Sequence, residues 1–398
     1  MDSRERQVCL ASAVRTPQGR FGGALATVPA AELAERVMTQ SCDRIGVDLD
    51  AVDLVVLGQV YQTPDAVNIA RFAALTAGFP VSIPAYTVQM VCCSGMEAIF
   101  SGFREIATDA GDVVMAGGVE SMSRAPYLLY DARWGMRRGH GELRDMLEEA
   151  SWSASSYRYG EWNMGLAAEF ISEHQGITRE DQDAYALRSH EAALEAIDKG
   201  RFDEEIVPIQ GKSGLVARDE GPRRDTSMSA LAHLRPAFSE SGSVTAGNSS
   251  LVSDGASAII MMSRKMMMVR GLPPLATIEG IARVAVEPRW LGKSPGLAAL
   301  KLMEQIGWSR QMVDVWEINE AFAAVVLASV KELQVDIRRV NVNGGGIALG
   351  HPVGCSGARI VTSMVHELRR RGGGRGIATV GGGGGVATAI AIRVEEEA

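Results

Sequence analysis

The sequence predicts an α/β protein made of two similar halves with a folded insertion between them. Three observations carry this expectation: β-rich runs alternate with helical patterns, one strand-helix design recurs, and the middle of the chain changes composition. In chain order the first half reads as strand Val8 to Ala13 and helix Ala30 to Ile45, then strand Leu54 to Val60 and helix Ala66 to Ala77. Strand Tyr86 to Val91, helix Ser94 to Ala107 and strand Asp112 to Gly117 follow. This alternation predicts helices covering a largely parallel sheet.

The second half repeats the scheme. Asp53-Leu54-Val55-Val56-Leu57-Gly58 resembles Asp314-Val315-Trp316-Glu317-Ile318-Asn319, and Cys93-Ser94-Gly95 resembles Cys355-Ser356-Gly357, each before a helical pattern. The boundaries expected are 1–121 for the first half, completed by about 247–271, then 122–246 for the insertion and 272–398 for the second half. Within the insertion, Thr178-Arg179-Glu180-Asp181 forms a capping box and opens a helix to about Lys199, so this stretch is folded. Gly381 to Gly385 marks a tight turn between strands Gly376 to Val380 and Val386 to Val394. Neither this run nor Gly344-Gly345-Gly346 fits G-x-G-x-x-G, which disfavours a dinucleotide fold.

Acidic residues number 48 and basic residues 40, a net charge of −8 that argues against nucleic acid as a partner. Five cysteines without C-x-x-C spacing point to a reducing compartment, with neither structural disulfides nor a metal cage. The charged start, Met1 to Arg6, leads directly into a strand, and the longest apolar helix candidate, Ala321 to Val330, is too short for a bilayer. The expectation is a cytoplasmic protein with no membrane partner.

Cys92 and Cys93 lie in Thr87-Val88-Gln89-Met90-Val91-Cys92-Cys93-Ser94-Gly95, where an extended run becomes a helix. A cysteine there can meet the positive helix end as a thiolate, although most cysteines are simply small buried residues. Further motifs follow in order: Val14-Arg15-Thr16-Pro17, Gly118 to Ser123, Leu234 to Phe238, Thr245-Ala246-Gly247-Asn248, Asn319-Glu320-Ala321-Phe322, and Asn341 to Gly345 through Gly350-His351-Pro352-Val353-Gly354. With these the chain is similar to the thiolase family over nearly its whole length. The resemblance implies a five-layered αβαβα fold of two similar halves with an inserted loop domain, assembled as a homodimer or homotetramer.

By the same resemblance Cys92 is the acyl-accepting nucleophile, His351 its base, and Asn319 the group that orients a water or donates to an oxyanion. The backbone amides of Cys92 and Gly383 form an oxyanion hole. Ser250 meets the pantetheine arm of coenzyme A, Met164 and Ala246 belong to the substrate site, and Phe322 walls the tunnel. Arg223 holds the nucleotide end, although Arg223 and Arg224 also read as solvated loop charges. No cofactor is permanently bound. A coenzyme A thioester, or an acyl carrier thioester, is the substrate.

The chain departs from the family at its C-x-G motif, whose cysteine is the second acid/base: Gly381 occupies that position. Three readings remain open. The enzyme generates its carbanion by losing carbon dioxide from a malonyl-type thioester, or Cys93 or Cys355 supplies the thiol, or the chain only transfers or hydrolyses acyl groups. Gln89, Cys93, Asn163 and Gly292-Lys293-Ser294-Pro295-Gly296-Leu297-Ala298, which breaks the usual G-x-G-P-x-P-A, are further departures. The expected function is acyl transfer through acyl-Cys92 in Claisen-type condensation. The alternative is a non-catalytic protein that binds acyl-CoA or scaffolds a partner.

Overall fold

A computed structural model of the chain describes residues 6–152 and 158–396. The first half contributes strands β1 (Val8–Arg15), β2 (Leu54–Gly58), β3 (Ala85–Val88) and β4 (Val113–Ser121), and helices α1 (Ala30–Asp43), α2 (Ile69–Thr76) and α3 (Ser94–Ala107). Two helices of the insertion, α4 (Met164–Gln175) and α5 (Arg179–Asp198), precede β5 (Ser253–Ser263). The second half contributes β6 (Ala276–Ala285), α6 (Ser294–Ile306), β7 (Val315–Ile318), α7 (Ala323–Leu333), α8 (Val353–Arg370), β8 (Gly374–Gly382) and β9 (Val386–Val394).

These strands join one sheet in the order β7-β8-β9-β6-β1-β5-β4-β2-β3. The sheet is mixed, which corrects the expectation of a largely parallel one. β2 runs parallel to β3 and β4, and β7 parallel to β8, but β1–β5, β5–β4, β1–β6, β6–β9 and β8–β9 are antiparallel. There are two causes. β5 returns from the insertion and wedges between β1 and β4, completing the first half-sheet, while β8 and β9 form a hairpin. Within the sheet the halves pair through Cys9 opposite Thr277 and Leu10 opposite Ala276.

Side chains alternate between two cores, as strand geometry requires. On β2, Val55 and Leu57 pack under α1 and α2, whereas Leu54 and Val56 face α3 and α8. On the far side α6 and α7 bury Ala298, Leu302, Ala323 and Val326 against Trp316, Ile377 and Ala389. The layers are therefore helix, sheet, helix, sheet, helix. α3 and α8 fill the middle layer and touch backbone to backbone: a Cβ on Gly95 would lie 2.7 Å from Gly354 O, and one on Gly357 2.5 Å from Met96 N. Only glycine permits that approach.

The insertion is folded. Thr178 caps α5 through Asp181 in a reciprocal box, and Asn163 caps α4 by accepting from Leu166 N at 2.8 Å. Among the described residues no helix is long and apolar enough to cross a membrane, and no His, Cys, Asp and Glu cluster is suited to a metal ion. All five cysteines are free and buried.

Candidate active site

Between β3 and α3 the chain makes a strained turn. Val91 sits at φ 50°, a left-handed conformation that a β-branched residue adopts at a cost of about 1–3 kcal/mol. Ser94 holds it, donating to Val91 O at 2.6 Å and accepting from Met90 N at 2.8 Å. The turn aims Cys92 into a cavity of about 530 Å³. Burial pushes the Cys92 thiol up to about 12, opposed by the N–H groups of Cys92 and Gly383 and reinforced by Glu120. Activation as a thiolate at the helix start was the expectation, and burial outweighs it: at neutral pH the resting sulfur carries its proton.

His351 precedes α8 and lines the same cavity. Burial, helped by Arg359, lowers its pKa to about 4, so the ring is neutral at physiological pH. Ser356 Oγ lies 2.5 Å from Nδ1 and itself donates to Pro352 O at 3.0 Å, which assigns it as acceptor from Nδ1–H. Nε2 then carries the free lone pair, and Asn319 Nδ2 points at it from 3.5 Å. Asn319 is buried just beyond the cavity wall, and its Oδ1 has no partner.

Glu320 fixes that loop. Its carboxylate accepts from Tyr185 Oη and Ser189 Oγ at 2.7 Å each, and from Asn341 Nδ2 and Ile347 N at 3.0 Å each. Asn341 also accepts from Ile318 N at 2.8 Å. Phe322 packs edge-on against Phe238 with ring centroids 5.9 Å apart and lines the cavity with Ser250, Met164, Gly381 and Gly383. Ala246 and Arg223 lie elsewhere: they line a smaller cavity of about 210 Å³, which includes Leu251, the neighbour of Ser250. Arg223 pairs with Asp225 at 3.2 Å and Arg224 with Asp198 at 2.5 Å.

Gly381 and Gly383 lie at the end of β8. A Cβ on Gly383 would come within 2.2 Å of Met164 Cε, the end of a flexible side chain that would have to move. Neither other cysteine reaches the cavity. Cys93 Sγ donates to Val380 O at 3.3 Å, on the face of β8 occupied by Gly382, which is opposite to that of Gly381. Cys355 is fully buried inside α8, with its thiol pushed up to about 12 by burial.

Sequence reasoning missed part of the wall: Val60, Tyr61, Leu128, Tyr130, Met146 and Ala150. Met146 and Ala150 are four apart on the short helix Met146–Trp152, a spacing that could have marked an apolar face. Ser356 was missed too. Its only sequence signal is a hydroxyl in the first turn after His351-Pro352.

Comparison with known proteins agrees with this architecture. Residues 8–265 match the family model "Thiolase, N-terminal domain" and residues 272–394 "Thiolase, C-terminal domain". The chain is 44% identical over 394 residues to an acetyl-CoA acetyltransferase of Pseudomonas aeruginosa, covering 97% of this chain and 99% of that one. A probable acetyl-CoA acetyltransferase of Escherichia coli is also 44% identical, over 392 residues, covering 97% and 99%. The crystal structure of the Bacillus anthracis acetyl-CoA acetyltransferase superposes with a TM-score of 0.94 at 46% identity, covering 99% of this chain and 100% of that one. Human mitochondrial 3-ketoacyl-CoA thiolase in complex with CoA gives 0.94 at 37%, covering 98% and 99%. The chain belongs to the thiolase family of acyltransferases.

Proposed function

We propose that Cys92 takes the acyl group from an acyl-CoA or acyl carrier thioester and passes it to a carbon nucleophile in a Claisen-type condensation. One observation carries this reading: the Cys92 sulfur opens on the same cavity as a neutral His351, and the amides of Cys92 and Gly383 face that sulfur. Thiol and imidazole both rest uncharged, so attack and proton transfer go together. The Cys92 proton moves to His351 Nε2 as sulfur bonds to the acyl carbon. The bond to the coenzyme's sulfur breaks, and that sulfur takes the proton from His351. The amides of Cys92 and Gly383 stabilise the oxyanion, and Asn319 orients His351 or a water beside it.

The pantetheine arm passes Ser250, Met164 and Phe322. The nucleotide end extends to Ala246 and Arg223, whose cavity begins at Leu251. Gly381 stands where the family keeps its second acid/base cysteine, and losing such a group costs about 100- to 10,000-fold. The placement of Cys93 and Cys355 favours neither as a substitute. The acceptor therefore makes its own carbanion, as a malonyl-type thioester does. Its carbon–carboxylate bond breaks, carbon dioxide leaves, and the freed pair bonds to the acyl carbon as the Cys92 sulfur departs and regains a proton from water by way of His351. Assembly as a homodimer or homotetramer belongs to the same proposal and is read by light scattering.

Intact mass after incubation with acetyl-CoA tests the first step. An adduct that disappears in Cys92→Ser is expected, and its absence from the parent protein would leave only a coenzyme A ester binder. Condensation when malonyl-CoA is added, and none with acetyl-CoA alone, is the expected second result. Equal rates with acetyl-CoA alone would overturn the decarboxylative step.

A further inference from the structure

β8 reaches the cavity at Gly381, and the start of α6 lies directly against it. A Cβ on Gly381 would stand 2.9 Å from Pro295 Cγ, 3.1 Å from Ser294 Oγ and 3.2 Å from Pro295 Cδ. Both neighbours are buried and held in place. Ser294 Oγ donates to Leu291 O at 2.8 Å and lies 3.4 Å from Val386 O. Thr379, two residues before Gly381 on the same face of β8, donates to Pro295 O at 2.9 Å. Ser294 also stands at the second glycine of the G-x-G-P-x-P-A pattern. The side chain absent from the strand is matched by one added on the facing helix.

We infer that Ser294, backed by Pro295, closes the second acid/base position and so determines which acceptors the enzyme uses. The inference rests on the acyl-Cys92 reading and goes beyond it. A side chain restored at position 381 crowds Ser294 Oγ at 3.1 Å and Pro295 Cγ at 2.9 Å, so a thiol fits there only if these neighbours give way, and the added Ser294 side chain is the one of the two that the family pattern lacks. Ser294 is not a replacement acid: its hydroxyl bonds to Leu291 O, and its side chain does not line the cavity. Acceptors that need the enzyme to remove a proton from their α-carbon are excluded. Acceptors that supply their own carbanion, and thiols, are admitted.

Two experiments test this. In the first, melting temperatures are compared for Gly381→Ala, Ser294→Gly and the double variant. Gly381→Ala lowers the midpoint, and adding Ser294→Gly recovers part of the loss, because the two residues share one space. Shifts that simply add would overturn the inference. In the second, each protein is incubated with acetyl-CoA in deuterium oxide and deuterium in the acetyl methyl group is measured by mass spectrometry. Exchange requires a C–H bond to break with its proton passing to a cysteine thiolate, and deuterium to return from solvent. The parent protein and Gly381→Cys exchange none, whereas Ser294→Gly/Gly381→Cys exchanges. Equal exchange by Gly381→Cys alone, or none from a folded double variant, would overturn the inference. Formation of the Cys92 adduct is followed in every sample. Its absence would remove the underlying mechanism, while the melting temperatures still judge the packing.

Discussion

Replacing Ser356 by alanine should slow acylation of Cys92 without unfolding the protein. The hydroxyl accepts from His351 Nδ1–H, leaving Nε2 free to take a proton. Pro352 O loses one donor but keeps the N–H groups of Cys355 at 2.9 Å and Ser356 at 3.0 Å, so the damage falls on His351. A buried N–H stripped of its acceptor costs about 1–3 kcal/mol. The ring escapes that cost by moving its proton to Nε2, the tautomer that cannot serve as base. The useful tautomer is thus disfavoured by about 1–3 kcal/mol, roughly a 5- to 150-fold loss in acylation rate. Rapid-quench intact-mass measurement of the acetyl adduct reads that rate, with the melting temperature as a control. Ser356→Thr, which keeps the hydroxyl, should recover most of it. If Ser356→Ala acylates at the parent rate while His351→Ala does not, the tautomer assignment is wrong.

The acid limb of the acylation rate should lie near pH 4, where His351 gains its proton, and a limb near the ordinary 6.5 would contradict the burial that depresses it. Glu317, pushed up from 4.5 to about 8 chiefly by burial, is protonated in the fold where the unfolded chain has released its proton. Its contribution is present below about pH 4.5 and lost as pH rises to about 8, so Glu317→Gln should raise the melting temperature at pH 8 and change it little at pH 4.5. Gly383→Ala should push the flexible end of Met164 into the cavity beside Cys92 and slow acylation in the same intact-mass assay, with little change in melting temperature. Glu320→Ala leaves the Tyr185 and Ser189 hydroxyls and Ile347 N unpaired at about 1 kcal/mol or more each, while Asn341 Nδ2 keeps Ile318 O, so a denaturant titration should find it about 3 kcal/mol less stable. A loss under about 1 kcal/mol would show that water replaces the carboxylate.

Much of this was legible in the chain because periodicity reports burial. α3 begins and ends where its pattern predicted, and Thr178 opens α5 as its capping box implied. Strand direction was not legible. Leu54–Gly58 and Ser253–Ser263 are equally buried, yet one pairs in parallel and the other antiparallel, because direction is set by the path through the insertion. Cys92, His351 and Asn319 were singled out from motifs, and the structure places Cys92 and His351 on one cavity with Asn319 Nδ2 3.5 Å from His351 Nε2. The charge state of Cys92 was not legible, since it depends on how completely the cavity walls desolvate sulfur. Arg223 and Ala246 were placed with Ser250, but a side chain's neighbours in sequence do not fix which of two adjoining hollows it borders.

The glycine contact between α3 and α8 has a consequence for how the protein can be divided. Sulfur and imidazole are each carried just ahead of one of these helices, and each helix comes from a different half. The proposed catalytic pair is therefore brought together only by docking of the two helices. A chain cut near residue 270 into two coexpressed pieces should regain chemistry only when they reassociate, and any mutation that spreads the two rods should disarm the protein while leaving every reacting group intact.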